Sequence, residues 1–204
     1  MALSEKKSPG SQATAVAATE RLTQSFTDAG QWPRLKRTTG WEWNAAAGEI
    51  LGAGVHEFLL STDDYGKRDY VIKARLSFAN YSKYRDSGLD TANAGIVLGW
   101  REVEGGKRYH HLLFNGQRMV LEAIGFKGGD DYLDFKHCDA GSSFVIEDNR
   151  FYNITISVSR SFINVFVDDV HRYSVQTPES IQGRVGLRPW RASIRCKKFV
   201  VFES

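Results

Sequence analysis

From residue 21 onward, hydrophobic and polar positions alternate with a period of two, the pattern of half-buried β-strands. The clearest case is FINVFVDDVHRYSV (162–175), where Ile163, Val165 and Val167 alternate with Asn164, Phe166 and Asp168. Asp168-Asp169 interrupts the run and VHRYSV returns, which predicts a β-hairpin. FYNITISVS (151–159) sets Tyr152, Ile154, Ile156 and Val158 against Asn153, Thr155 and Ser157, giving one buried and one polar face. VHEFLLST (55–62), YVIKARLSFAN (70–80), NAGIVLGWRE (93–102), RYHHLLFNG (108–116) and RMVLEAIG (118–125) are further strand candidates. DDYGKRD, KYRDSGLD, EGGK, NGQ and KGGDD supply the turns between them, and Asn115-Gly116 is the strongest hairpin signal. GRVGLRPW and SIRCKKFVVFES close the chain as two more strands. The one helical candidate, the alanine-rich ATAVAATERLTQSF (13–26), is weakly amphipathic and predicts at most a short N-terminal helix. About ten to twelve strands with turns every ~8–12 residues predict an all-β fold, a sandwich or a barrel.

Composition narrows this only a little. The length of 204 residues suits one domain, residues 21–204, behind a linker-like tail, residues 1–20, dominated by Ser, Gly, Pro, Ala and Thr. A domain of this size buries enough surface to need no disulfide or metal staple. A formal charge of +3, from 27 basic against 24 acidic residues, predicts no strong attraction to nucleic acid or to an anionic membrane. Cys138 and Cys196 are too few for a disulfide framework and read as small buried hydrophobes, with a bridge between them left open. The opening residues lack the apolar core of a signal peptide, so the expectation is a cytoplasmic chain unless the domain was cut from a longer one.

The order of the segments resembles a known family. An opening Phe26…Trp32 segment precedes WEWNAAAGEILGAG, and NAGIVLGWR and YHHLLFNG follow as a strand pair. NRFYNITISVSRSFINVFVDDVHRYSV and the closing GRVGLRPWRASIRCKKFVVF complete the likeness, which runs from about residue 24 to 203. Together these stretches resemble the concanavalin A-like lectin/glucanase jelly roll, and within it laminin-G-like modules and bacterial 3-keto-disaccharide-hydrolase-type domains. The resemblance implies a two-sheet antiparallel jelly-roll sandwich. It departs at Asp169, where the family has Gly, and at Phe151, where it often has Trp. The glucanase strand motif Glu-Ile/Leu-Asp-x-x-Glu and the alginate-lyase strand motifs are absent, and RMVLEAIGFKGG replaces the segment expected of the keto-sugar hydrolases.

Candidate chemistry is sparse. Glu102 and Glu104, one residue apart on a strand, would share a face about 7 Å apart and form a weak candidate for the carboxylate pair of a glycosidase. They run into a Gly-Gly turn, where solvated charges are the ordinary reading. Asp130, Asp131 and Asp134 have the composition of a loop Ca2+ site without a spaced motif, so a solvated loop is favoured and no cofactor is expected beyond a possible calcium ion. His110 and His111 are adjacent and so face opposite ways, which rules against a shared metal.

The stronger constellation is aromatic and polar. Sugars stack an apolar face on an aromatic ring while planar polar groups bind their hydroxyls. The resemblance would bring Trp100, Arg101, His110 or His111, Arg188, Trp190 and Arg191 near one another, on the concave face of the larger sheet or at its rim. Alternation puts Ile96, Leu98 and Trp100 on one face, which makes Trp100 core and leaves Arg101 to meet a ligand. The expected ligand-binding residues are therefore Arg101, His110, His111, Arg188, Trp190 and Arg191. The expected function is a non-catalytic carbohydrate- or glycan-binding module, or an interaction module, of a larger bacterial protein. The alternatives are a glycoside hydrolase acting on keto-sugars or polysaccharides, and a structural, protein-binding sandwich. Its expected partners are a carbohydrate and possibly a protein, with no nucleic acid and no membrane.

Overall fold

The structure is a computed structural model that describes residues 21–66, 69–79, 93–128 and 131–203. The tail 1–20 and the turn KYRDSGLD lie outside the described residues. The first strands are β1 (Arg21–Ser25), β2 (Lys36–Arg37), β3 (Trp41–Asn44), β4 (Glu49–Gly54) and β5 (Leu59–Leu60). They are followed by β6 (Tyr70–Ala79), β7 (Asn93–Val103), β8 (Gly106–Phe114), β9 (Met119–Gly128) and β10 (Asp131–His137). The last are β11 (Phe151–Ser159), β12 (Phe162–Val167), β13 (Val170–Gln176), β14 (Arg184–Trp190) and β15 (Ala192–Glu203).

These strands form two antiparallel sheets packed as a sandwich, as the jelly-roll expectation requires. The eight-stranded sheet runs β13-β12-β11-β6-β15-β4-β3, with β1 also pairing β15. The seven-stranded sheet runs β10-β9-β8-β7-β14-β5-β2. Alternating positions from both sheets meet between them, among them Ile72, Leu76, Ile96, Leu98, Leu112, Leu121, Ile156, Val165, Leu187 and Ile194. The Asp168-Asp169 turn forms as read, with both residues at positive φ (48° and 62°), the geometry of a two-residue hairpin turn. Gly95 allows a close strand approach, since a Cβ there would stand 1.9 Å from the Leu112 carbonyl oxygen.

Three local expectations are corrected. The part of the helical candidate that is described is strand β1, not helix. Pairing with β15 and a 4.4 Å ring contact between Phe26 and Phe199 hold the described part, from Arg21 on, extended. Asp131 and Asp134, read as loop residues, lie on strand β10 and face cations. Asp134 pairs with Arg108 at 2.7 Å and Asp131 with Lys127 at 3.6 Å, while Asp130 is outside the described residues. Cys138 and Cys196 are both free.

The third correction concerns Trp100. Gly99 adopts φ +66°, and the β7–β8 register slips between Leu98 and Arg101. This bulge inserts one residue and reverses the alternation after it. Trp100 therefore leaves the side of Ile96 and Leu98 and packs with Val97, Phe58, Leu60, Tyr109, Ile124 and Phe126 on the outer face of the seven-stranded sheet. Arg101 moves the other way.

Candidate functional site

The outer face of the seven-stranded sheet carries a second apolar cluster, unusual for a sheet face turned away from the sandwich interior. The segment between β4 and β5 folds over it. His56, at φ 62°, stacks on Phe126 (5.1 Å) and Trp190 (6.1 Å), and Phe58 meets Tyr109 edge-on at 5.4 Å. Lys36 and Lys107 hold their ammonium groups 4.4 and 6.0 Å from the Trp100 ring.

Arg188 lies at the centre of this cluster. Strand pairing sets it opposite Gly95 of β7. The guanidinium carbon stands 5.1 Å from the Trp190 ring, 5.8 Å from Phe58 and 5.9 Å from Tyr109. The residue is fully buried, and none of its three guanidinium nitrogens has a hydrogen-bond partner among the described residues. An Arg carries five donors, and burying them unmet is costly.

One row along the sheet, Val97, His111, Glu122 and His137 pair across four strands and so share the outer face. Glu122 is buried between two imidazoles, its carboxylate 3.5 Å from His111 Nδ1 and 3.6 Å from His137 Nδ1. His137 also contacts Arg118 Nη2 at 3.2 Å. Beside this row opens a cleft of about 460 Å³, lined among others by Asn93, Arg118, Glu122, Tyr132, His137 and Trp190. Asn93 Oδ1, Tyr132 Oη and Trp190 Nε1 are buried polar atoms with no partner among the described residues.

The candidate residues are thus divided. His111, Arg188 and Trp190 come together on this face, and Trp100 joins them through the bulge. Arg101 and His110 line a separate hollow of about 270 Å³ with Arg108, Lys136, Asp134 and Glu179, where Arg101 approaches Glu179 at 3.7 Å. Arg191 holds the β14–β15 turn at φ 56°, its guanidinium 5.8 Å from the Trp190 ring. Glu102 is exposed and bound to Lys36 at 3.0 Å, while Glu104 is exposed in the following turn. The two glutamates do not share a strand face. The cluster sits on the seven-stranded sheet rather than on the larger one.

Sequence reading missed Phe58, Asn93, Arg118, Glu122, Tyr132 and His137. Glu122 had a readable signal, because it is the one charged position in the strand run MVLEAIGF and a buried charge among apolar neighbours marks a site. The others had none, since only pairing across strands assembles them.

Both adjacent histidines are held neutral. Burial lowers the His110 pKa to about 4, and the charge of Arg101 adds to this. Burial lowers that of His111 too, with Glu122 opposing and Arg188 reinforcing the shift. In the unfolded chain both return toward the ordinary value of 6.5. As pH falls below about 6.5 the unfolded state takes up protons that the folded state refuses, so their contribution, complete above pH 6.5, is lost toward pH 4. Urea midpoints are expected to fall between pH 7.5 and pH 5, and to fall less in a His110→Asn, His111→Asn double variant. Equal pH dependence in the two proteins would refute the assignment.

No protein-family model matches the chain, and no curated protein sequence matches it significantly. Its backbone does match solved structures. The carbohydrate-binding module CBM66 from Bacillus subtilis superposes with a TM-score of 0.62 at 13% identity, covering 83% of this chain and 95% of that one. A protein of unknown function with a galectin-like fold, also from Bacillus subtilis, gives 0.64 at 7% identity, covering 90% and 96%. The kappa-carrageenase of Pseudoalteromonas carrageenovora, solved with an oligotetrasaccharide of kappa-carrageenan, gives 0.56 at 8% identity, covering 95% and 99%. At such identities the likeness is one of fold. The two-sheet topology and these neighbours together give the chain the concanavalin A-like lectin/glucanase jelly-roll fold.

Proposed function

We propose that this protein is a non-catalytic carbohydrate-binding module that takes its ligand on the outer face of the seven-stranded sheet. One observation carries the reading: the 460 Å³ cleft joins aromatic rings to buried polar atoms that lack partners. Trp190 and Tyr132 offer rings for the C–H face of a sugar. Asn93 Oδ1, Trp190 Nε1 and Tyr132 Oη supply one acceptor, one donor and one hydroxyl, which sugar hydroxyls satisfy. Among the described residues the cleft holds a single carboxylate, Glu122, whereas glycosidic cleavage in most families needs two. That observation favours binding over hydrolysis. The fold shared with a carbohydrate-binding module is consistent with the reading.

A glycan array followed by calorimetry on the bound glycan tests it. Trp190→Ala is expected to weaken binding at least tenfold, on the order of 1.4 kcal/mol, with an unchanged far-UV spectrum. No bound glycan in the parent protein, or equal affinity in the variant, would overturn the proposal.

A further inference from the structure

Resting on that reading, we propose that the recognised glycan is acidic and that Arg188 receives its carboxylate. The guanidinium is buried against three rings, yet its nitrogens have no hydrogen-bond partner among the described residues. Ring faces attract the cation but do not accept its in-plane N–H groups along the lone-pair directions of an oxygen. The group that meets the fork of donors is a planar carboxylate, bound through two parallel hydrogen bonds. No carboxylate of this protein takes that place among the described residues. Glu122 is engaged by the two histidines, and Glu102 by Lys36.

The surroundings favour an anion. Two cations lie near the Phe58 ring, with Lys107 Nζ 5.3 Å and Arg188 Cζ 5.8 Å from its centre. Burial holds the Lys107 pKa down, with the charge of Lys36 adding to the effect and that of Glu102 opposing it. Trp190 lines the cleft, is only partly buried, and its ring stands 5.1 Å from the Arg188 guanidinium carbon. Its indole N–H has no partner among the described residues, so no hydrogen bond fixes the ring in place. In the proposed complex that ring turns aside, so that the carboxylate meets the guanidinium and the indole face meets the sugar. The ligand class is a uronic-acid oligosaccharide.

The test is calorimetric titration with galacturonate, glucuronate and mannuronate trimers, their methyl esters, and a sulfated neutral trimer. At least one uronate is expected to bind tenfold or more tightly than its ester. Arg188→Lys, which keeps the charge but loses the fork, is expected to weaken that uronate tenfold. Equal affinity for acid and ester, preference for the sulfated trimer, or an unaffected Arg188→Lys variant would overturn the inference. The acid–ester comparison uses the unaltered protein and stands even if the variant fails to fold. Neutral glycans bound without any uronate would sink this inference alone, whereas no binding of any glycan would sink the glycan reading with it.

Discussion

Arg188→Met is expected to make the protein more stable, by about 1–3 kcal/mol. The side chain is fully buried and makes no hydrogen bond that its removal would break among the described residues. Taking a guanidinium out of water costs several kcal/mol, and three ring contacts near 5–6 Å return part of that. Methionine fills a similar length and its sulfur also packs well against aromatic edges. Among the described residues no carboxylate is stranded by the change, so the usual penalty for breaking a buried ion pair does not apply. The measurement is a urea midpoint at pH 7.5, expected to rise while uronate binding disappears. A fall of 1 kcal/mol or more would show that the rings alone satisfy the cation. A residue that lowers stability at the centre of a site is the ordinary trade of stability for function.

The second large effect is expected at Gly99. A valine there must hold φ near +66°, which costs about 1–2 kcal/mol for a side chain with a Cβ. The added Cβ would stand 2.8 Å from Ile181 Cγ2 and 3.0 Å from the Gln182 carbonyl oxygen. The opposite strand offers no relief, because Gly183 already brings its own backbone against the Trp100 carbonyl. A loss of about 2–4 kcal/mol is expected for Gly99→Val. The chain could escape the strain by closing the bulge, which would turn Trp100 inward among Leu98 and its neighbours. Near-UV circular dichroism separates the outcomes, since only the second changes the environment of Trp100. A variant within 0.5 kcal/mol of the parent would show that the bulge does not govern which face Trp100 occupies.

How far the chain can be read without its structure follows from these residues. Period-two alternation over 151–175 was enough for the β11–β12–β13 meander, because the pairing there is local and each buried position repeats every second residue. The apolar runs at 70–80 and 93–102 were legible as strands, but their places inside the two sheets rest on partners distant in sequence, β11 and β15 for β6 and β14 for β7. The segment 13–26 misled where it is described, because its fate depends on β15, nearly 180 residues away.

The site was legible in part. His111, Arg188 and Trp190 were recognisable as polar or aromatic residues inside strand patterns, and the structure brings them together. Arg101 and Trp100 were assigned to the wrong faces, since a single φ at Gly99 reverses every later position and alternation contains no record of it. The sequence by itself determined the β class, the hairpins and which residues were unusual enough to watch. The tertiary structure alone decided that Arg188, Glu122 and the cleft share one face, because strand order and register place β14 beside β7 and carry β8, β9 and β10 outward from it. The β14–β7 pairing joins residues 84 (Arg184 and Trp100) to 97 (Trp190 and Asn93) positions apart, a separation at which local pattern carries no information about contact.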